Sequence, residues 1–592
     1  MWAAPMRKLL LLIPLLMAGC ARFSSPAPEN DGEAAFQRLA ADYIAGYLVW
    51  RPLLGTSLGL HEYDGRITDY RQASLQGELQ RLESYDARLA SLDVRQLTSR
   101  SAYDYLILRS AIRRELFSFE QMQVYSRNPM TYAGALDVNV YIKRDFAPLE
   151  ERVRSLTAVL NEAPNIFSAA RENLAEALPR PMVETAIDQA NGGADFLEKD
   201  LVDAVRGVTN QAVKESFGGA NRRAIYALRQ YAAWLKEEKL PRADEHYALG
   251  RDNYGKMLQY GEMISVAPEE LLQLGLQELH RKQQIFAAAA RQTDPDKSPV
   301  EVFQEIQKDH PSEVSLIPDT RRHLEMIRQF VVNHDLVTLP SPVRARVKET
   351  PQYLRATTFA SMDTPGPFET RATEAYYYVT PPESSWTPEQ KEEWLTSFNN
   401  YTTDIVSIHE VYPGHYVQYL CLNASTANTL EKIFTSYAFT EGWAHYAEQM
   451  MVDEGFGESL PAFPEKRADA TKYRMAQADE ALLRLCRLCV SIKMHCQGMT
   501  VDEATRFFHE NCYYAEKPAR QEAIRGTYDP EYLYYTLGKL EIMKLRYDYA
   551  KQEGASFSLR RFHNELLRHG APPLLLLRQL MLRDPSQWGE VL

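Results

Sequence analysis

The residues with the clearest chemistry lie in Ser407-Ile408-His409-Glu410-Val411-Tyr412-Pro413-Gly414-His415. In zinc peptidases two histidines on a helix bind the metal, and the glutamate after the first acts as general base. The usual H-E-x-x-H spacing sets both imidazoles on one face, one turn apart. Here the spacing is H-E-x-x-P-G-H, two residues longer. A straight helix turns through about 600° over six residues, which leaves His415 about 120° away from the face of His409. The pair therefore predicts a distorted helix. Pro413 lacks the N–H that would bond the His409 carbonyl, and Gly414 reaches backbone angles closed to other residues. A bulge at these two positions returns His415 to the face of His409.

A metal held by two histidines needs a third ligand from another element. Thr440-Glu441-Gly442-Trp443-Ala444-His445-Tyr446-Ala447-Glu448 offers Glu441, 26 residues after His415. Glu441, His445 and Glu448 fall on one helical face. His445 is the alternative third ligand. Glu448 is placed to hold the outer nitrogen of a ligand histidine. The expected centre is thus His409, His415 and Glu441 around one Zn2+ per chain, with Glu410 as the base. Mixed histidine and carboxylate donors also accept manganese or cobalt.

The elements that must position these residues are mostly helical. From residue 35 to about 308, apolar residues recur at helical spacing, for example over 78–92, 102–116, 149–160, 221–238 and 268–290. Breaks are expected at Asp64-Gly65, Leu178-Pro179-Arg180-Pro181, Asn191-Gly192-Gly193 and Asp294-Pro295-Asp296. Between 337 and 382, β-branched, aromatic and proline residues predict a small sheet or hairpin that includes Tyr376–Val379. That Tyr-rich strand is a candidate to pair with an extended substrate. Helices resume at about 387 and run to about 581. The predicted fold is mainly α: a large helical framework with a small β element beside a zincin-like two-helix metal site. The predicted regions are a signal peptide at 1–19, a tether at 20–34, an N-terminal helical region at 35–335 and a metal-site region at 336–592.

Composition narrows the setting. With 45% hydrophobic and 25% charged residues, the 592-residue chain is neither disordered nor a multi-span membrane protein. Its 67 Lys and Arg against 79 Asp and Glu leave a net charge of −12, which argues against nucleic acid as a partner. Residues 9–17 form an apolar run behind Arg7 and Lys8, too short to span a bilayer. Leu16-Met17-Ala18-Gly19-Cys20 resembles a bacterial lipobox, which implies a lipid on Cys20. Ala21 follows where an inner-membrane retention signal has Asp, so the resemblance implies an outer-membrane anchor facing the periplasm. Cys486 and Cys489 form C-x-x-C within a helical stretch, with no second pair to complete a metal site, and are expected to pack in the core.

Further motifs carry a resemblance to a known family. HEVYPGHYVQ and TEGWAHYAE resemble those of the bacterial "domain of unknown function 885" family, grouped with gluzincin-type zinc peptidases. RPLLGTSLGLHEYDGRITD at 51–69, RNPMTY at 127–132, ALGRDNYGKML at 248–258, MHCQGMTVDEA at 494–504 and YTLGKLEIMKLR at 535–546 are similar to its other signatures. The resemblance implies zinc at His409, His415 and Glu441, with Glu410 as base. Where His445 stands, the family usually has an apolar residue. Where Ser491 stands, four residues before His495, it tends to have Asp. Tyr535 precedes Gly538 by three residues, as in the family's Tyr-x-x-Gly pattern, and is the favoured oxyanion donor over Tyr534, Tyr528 and His495. Arg525 is a candidate for a substrate carboxylate or a structural ion pair. The expected activity is cleavage of short peptides in the cell envelope. The alternatives are an amidase or esterase using the same site, or a zinc-stabilised peptide-binding lipoprotein without turnover.

Overall fold

The computed structural model describes residues 31–352, 355, 358–458 and 469–592. The signal peptide, Cys20 and the tether up to residue 30 lie outside the described residues. The fold is mainly α, with one small three-stranded sheet.

The N-terminal layer is formed by α1 (Asp31–Trp50), α2 (Gln72–Ala90) and α3 (Ser99–Glu120). Residues 31–34, expected in the tether, are helical. Glu33 ties that end down by accepting hydrogen bonds from the Thr98 N–H at 2.9 Å and from the Ser101 hydroxyl. The second layer contains α4 (Leu149–Asn161), α5 (Arg180–Glu198) and α6 (Gln211–Trp234). The expected break at Asn191-Gly192-Gly193 is absent, because α5 runs through it. Ala186, Ala190 and Ala194 are buried at four-residue spacing within the same apolar cluster as Ala220, Ala224 and Leu228 of α6. A Cβ on Gly193 would sit 3.7 Å from Leu228, an ordinary contact. Burial of this small-residue stripe outweighs the weak helix propensity of Asn-Gly-Gly.

The largest apolar cluster takes in α7 (Pro268–Thr293), α8 (Leu316–Asn333) and most of the chain after residue 336, so one core crosses position 335. The sheet follows, with β1 (Arg346–Glu349), β2 (Ala360–Asp363) and β3 (Tyr376–Val379) in the order β1-β3-β2. β3 is parallel to β1 and antiparallel to β2. It is therefore the central strand, with both edges paired. The candidate role of Tyr376–Val379 as a strand that adds a substrate is contradicted, since no free edge remains on it.

Beyond the sheet run α9 (Asn400–Glu410), α10 (His415–Ala424), α11 (Tyr437–Asp453), α12 (Ala470–Gln497) and α13 (Tyr534–Glu553). The fully buried Asp404 joins three helices: it meets the His323 ring of α8 at 2.8 Å and accepts from the Tyr473 hydroxyl of α12 at 2.6 Å. The Tyr377 and Ser407 hydroxyls, 3.1 Å apart, fix α9 to the sheet. Helix α11 is capped twice. Ser436 Oγ accepts from the Phe439 N–H at 2.9 Å. The buried Glu262 carboxylate accepts from the Tyr437 and Ala438 N–H groups at 2.8 and 3.1 Å.

Helices α11 and α13 touch backbone to backbone. A Cβ on Gly538 would lie 1.8 Å from the Ala438 carbonyl oxygen, and one on Gly442 would lie 2.5 Å from the Gly538 carbonyl carbon. A Gly538→Ala change must push the two helices apart. It is expected to destabilise the protein by about 3 kcal/mol or more, read as an earlier urea unfolding transition. An unchanged transition would show that the contact is not tight.

Candidate metal centre

The H-E-x-x-P-G-H segment is more than a bulged helix. Helix α9 ends at Glu410 and α10 starts at His415, so the histidines sit on two helices that meet at a break. The Gly414 N–H donates to the Ile408 carbonyl at 3.0 Å. A Cβ on Gly414 would lie 1.7 Å from the His409 oxygen, so only glycine lets the chain fold back here. Trp443 of α11 holds the turn by donating its indole N–H to the Pro413 carbonyl at 2.9 Å.

This turn brings the two imidazoles together, with ring centroids 4.8 Å apart and planes at 88°. Glu441 enters from α11. Its Oε2 is 3.5 Å from His409 Nε2 and 3.4 Å from His415 Nε2. A tetrahedral ion with bonds of about 2.0–2.1 Å separates its ligand atoms by about 3.3 Å. The observed spacings fit that shape. Glu441 Oε2 is also buried without a hydrogen-bond donor. His409, His415 and Glu441 thus fit a divalent cation, with one donor atom from each within 4.8 Å of the others. Burial opposes ionisation of Glu441, but the two imidazoles hold its carboxyl well below the usual range. Burial favours a neutral His409 ring, but Glu441 and Glu448 outweigh it and push its pKa up to about 10.

Glu410 faces the sheet. Its Oε2 accepts from the Met362 N–H of β2 at 2.8 Å. β2 is an edge strand, so Met362 points this N–H away from β3 and towards the site.

His445 is not in the donor group. It stands behind Glu448, whose fully buried carboxylate meets His409 Nδ1 at 2.7 Å and His445 Nδ1 at 2.9 Å. Arg484 of α12 lies 3.4 Å from the same carboxylate. Burial alone would raise the Glu448 pKa, but Arg484, His445 and His409 hold it well below the ordinary value. Glu448 thereby fixes the His409 tautomer and turns Nε2 towards Glu441. Sequence reasoning missed Arg484. Its signal was a cation in the apolar stretch of α12, which has meaning only once Glu448 is buried opposite it.

Tyr535 is half-buried beside Tyr437, with ring centroids 5.8 Å apart, and Tyr437 precedes Glu441 by one turn. The Arg484 and Arg487 guanidinium carbons lie 5.8 and 5.4 Å from the Tyr535 ring centroid. The other oxyanion candidates have partners of their own or line a cavity that includes none of the three donors. Tyr534 is buried, with its hydroxyl 3.5 Å from the Met257 carbonyl. His495 Nε2 is 2.8 Å from the Gly526 carbonyl, and its Nδ1 accepts from the Leu249 N–H at 3.3 Å. Tyr528 lines a cavity with His495. Ser491 donates to the Pro530 carbonyl at 2.7 Å, and its Oγ lies 2.7 Å from the Tyr254 hydroxyl. Arg525 pairs with Asp529 at 2.8 Å, the structural alternative. Cys486 and Cys489 are buried in the core as expected.

Glu448→Gln keeps the shape but removes the charge that orients His409. It is expected to weaken zinc binding about 10–100-fold, measured by competition with a chelator, while the fold is retained. Unchanged affinity would mean that His409 is oriented without Glu448.

Two solved structures share the whole fold. One, named as a lipoprotein of unknown function from Shewanella oneidensis, is 24% identical, with a TM-score of 0.75 over 93% of this chain and 100% of that one. The other, named as a lipoprotein from Colwellia psychrerythraea, is 16% identical, with a TM-score of 0.75 over 94% of this chain and 99% of that one. No curated protein matches the chain. Residues 52–581 match the family described as "Bacterial protein of unknown function (DUF885)", and the chain belongs to that family.

Proposed function

We propose that the protein is a zinc-dependent peptidase of the gluzincin type that cleaves short peptides in the cell envelope. The observation that carries this reading is Glu410. It stands next to a three-donor cation site and against the open edge of β2. A purely structural metal site has no use for such a carboxylate.

His409, His415 and Glu441 would hold the zinc, and the chemistry it would supply there is a water of lowered pKa, towards about 7, and polarisation of a carbonyl. Glu410 is the base that would take a proton from the attacking water and pass it to the departing amine. The Met362 N–H holds Glu410 Oε2, so one carboxylate oxygen is fixed while the other stays available. The Tyr535 hydroxyl serves as donor to the developing oxyanion.

The edge strand favours a peptide over a simple amide or ester. Backbone groups of alternate residues point the same way. With the Met362 N–H turned outward, the Met362 C=O and the Ala360 N–H face the open edge as well. The Ala360 carbonyl already accepts from the Thr358 hydroxyl at 3.2 Å. The remaining donor and acceptor match the backbone of an extended peptide. An envelope location with a lipid on Cys20 rests on the lipobox at 16–20 and on the lipoprotein names of both structural relatives.

The deciding experiment measures zinc content and turnover of a peptide library on the same purified protein. The expected outcome is one zinc per chain, with cleavage of peptides but not of simple esters. Glu410→Gln should keep the zinc and lose about 10²-fold or more in turnover. Glu441→Gln should lose the zinc. Full activity in Glu410→Gln would refute the base assignment. Zinc without cleavage of any peptide would favour a binding lipoprotein. Separately, Tyr535→Phe should lower kcat by about tenfold or more with little effect on zinc content; an unchanged kcat would remove Tyr535 from the reaction.

A further inference from the structure

The helix Ala163–Asn173 packs on α6 through stacked rings, with the Phe167 and Tyr231 centroids 4.8 Å apart. Beside this contact lies a shallow groove of about 650 Å³, open to solvent. Pro164, Phe167 and Ala227 give it apolar surface. Its charged lining is three arginines: Arg171 from Ala163–Asn173, and Arg222 and Arg223 from α6. Tyr226 stands among them with 67% of its surface exposed. Among the described residues, no Asp or Glu lines the groove.

The contacts of these guanidiniums are with neutral groups. Arg171 donates to the Gln230 carbonyl at 3.2 Å and lies over the Trp234 ring, 5.0 Å from its centroid. Arg223 donates to the Asn161 side-chain oxygen at 2.6 Å. Among the described residues, none of the three has a carboxylate within 4.0 Å. No acid stands three or four residues from any of them along its own helix. The acids of the neighbourhood are placed elsewhere. Glu162 and Glu172 line a second groove, with Arg66 and Arg71. Glu176 pairs with Arg242, Asp195 pairs with Arg229, and Glu215 accepts from Gln211 at 2.8 Å. The groove is thus a local cationic patch on a chain whose net charge is −12.

We propose that this groove docks on the surface of a membrane that carries anionic phospholipid. The guanidiniums take the headgroup phosphates, whose oxygens match their planar N–H forks. The Tyr226 ring lies at headgroup depth, where an apolar body with a polar tip is favoured. Pro164, Phe167 and Ala227 face the upper part of the acyl layer. A lipid surface is favoured over an acidic protein because only residues 21–30 separate Cys20 from α1, so a lipid on Cys20 keeps the start of α1 within about 40 Å of a bilayer. That argument rests on the lipobox reading and not on the peptidase reading. The lipid fixes one end of the chain, and the groove sets which face of the protein lies on the membrane.

The test uses the mature chain from residue 21 without lipid, so that binding does not depend on the anchor. Co-sedimentation is measured with vesicles of phosphatidylethanolamine and phosphatidylglycerol, and with vesicles of phosphatidylcholine alone. The protein is expected on the anionic vesicles and not on the neutral ones. Arg222→Gln with Arg223→Gln should weaken that binding about 30-fold, at roughly fivefold per arginine near an anionic surface. Tyr226→Ser should weaken it further. Arg95→Gln with Arg520→Gln removes the same charge from exposed arginines outside the groove and should leave binding unchanged. Undiminished binding by the Arg222 and Arg223 variant would overturn the proposal, and so would absence of the unaltered chain from the anionic vesicles. Should a labelled acidic peptide bind instead, and be lost in that variant, the groove belongs to an acidic protein and the membrane assignment falls. The lipid on Cys20 is read separately, from the mass of the N-terminal peptide of membrane-extracted protein, so each reading fails on its own measurement.

Discussion

One buried carboxylate ties the centre of this protein together. Glu448 has no exposure to solvent, yet it stays charged because His409, His445 and Arg484 surround it. An ionised carboxylate cannot be carried into an apolar core alone, so three helices have to converge on it. α9 brings His409, α11 brings Glu448 with His445, and α12 brings Arg484. Glu441 then stands two turns before Glu448 on α11, and its position relative to His409 follows from the same contact.

The remaining donor depends on backbone geometry. The chain must leave α9 at Glu410 and start α10 at His415 within a few residues. Gly414 permits this because its missing side chain leaves room for the His409 carbonyl. Trp443 closes the turn from the α11 side. Gly442 and Gly538 bring α13 into backbone contact with α11, which sets Tyr535 near Tyr437 on the Glu441 side. Small residues here determine distances, and large polar residues determine direction.

The polar interior continues past His409, His415 and Glu441. Behind the donors lies Glu448 with Arg484 and His445. Each layer depends on the charge of the next, since low local dielectric strengthens every pair and penalises every orphan. The open face is different in kind. There β2 offers a strand edge, and Glu410 is held by a backbone N–H rather than by a counter-charge.

The sequence alone pointed to the candidate site and determined the helical class. His409, Glu410, His415 and Glu441 stand out because their types and spacing suit one chemistry, and apolar periodicity marks long helices locally. It also pointed to Pro413 and Gly414 as the place where a regular helix fails. Tertiary structure decided what depends on distant partners. The Asn191-Gly192-Gly193 stretch reads as a break, but burial of its alanine stripe against α6 keeps it helical. Tyr376–Val379 reads as a strand, and only pairing with β1 and β2 made it the central one and gave the free edge to β2. Arg484 is an ordinary charge in the sequence. It acquired its role because packing removed water from it, and the loss of solvation, which no local pattern records, makes its partner Glu448 matter.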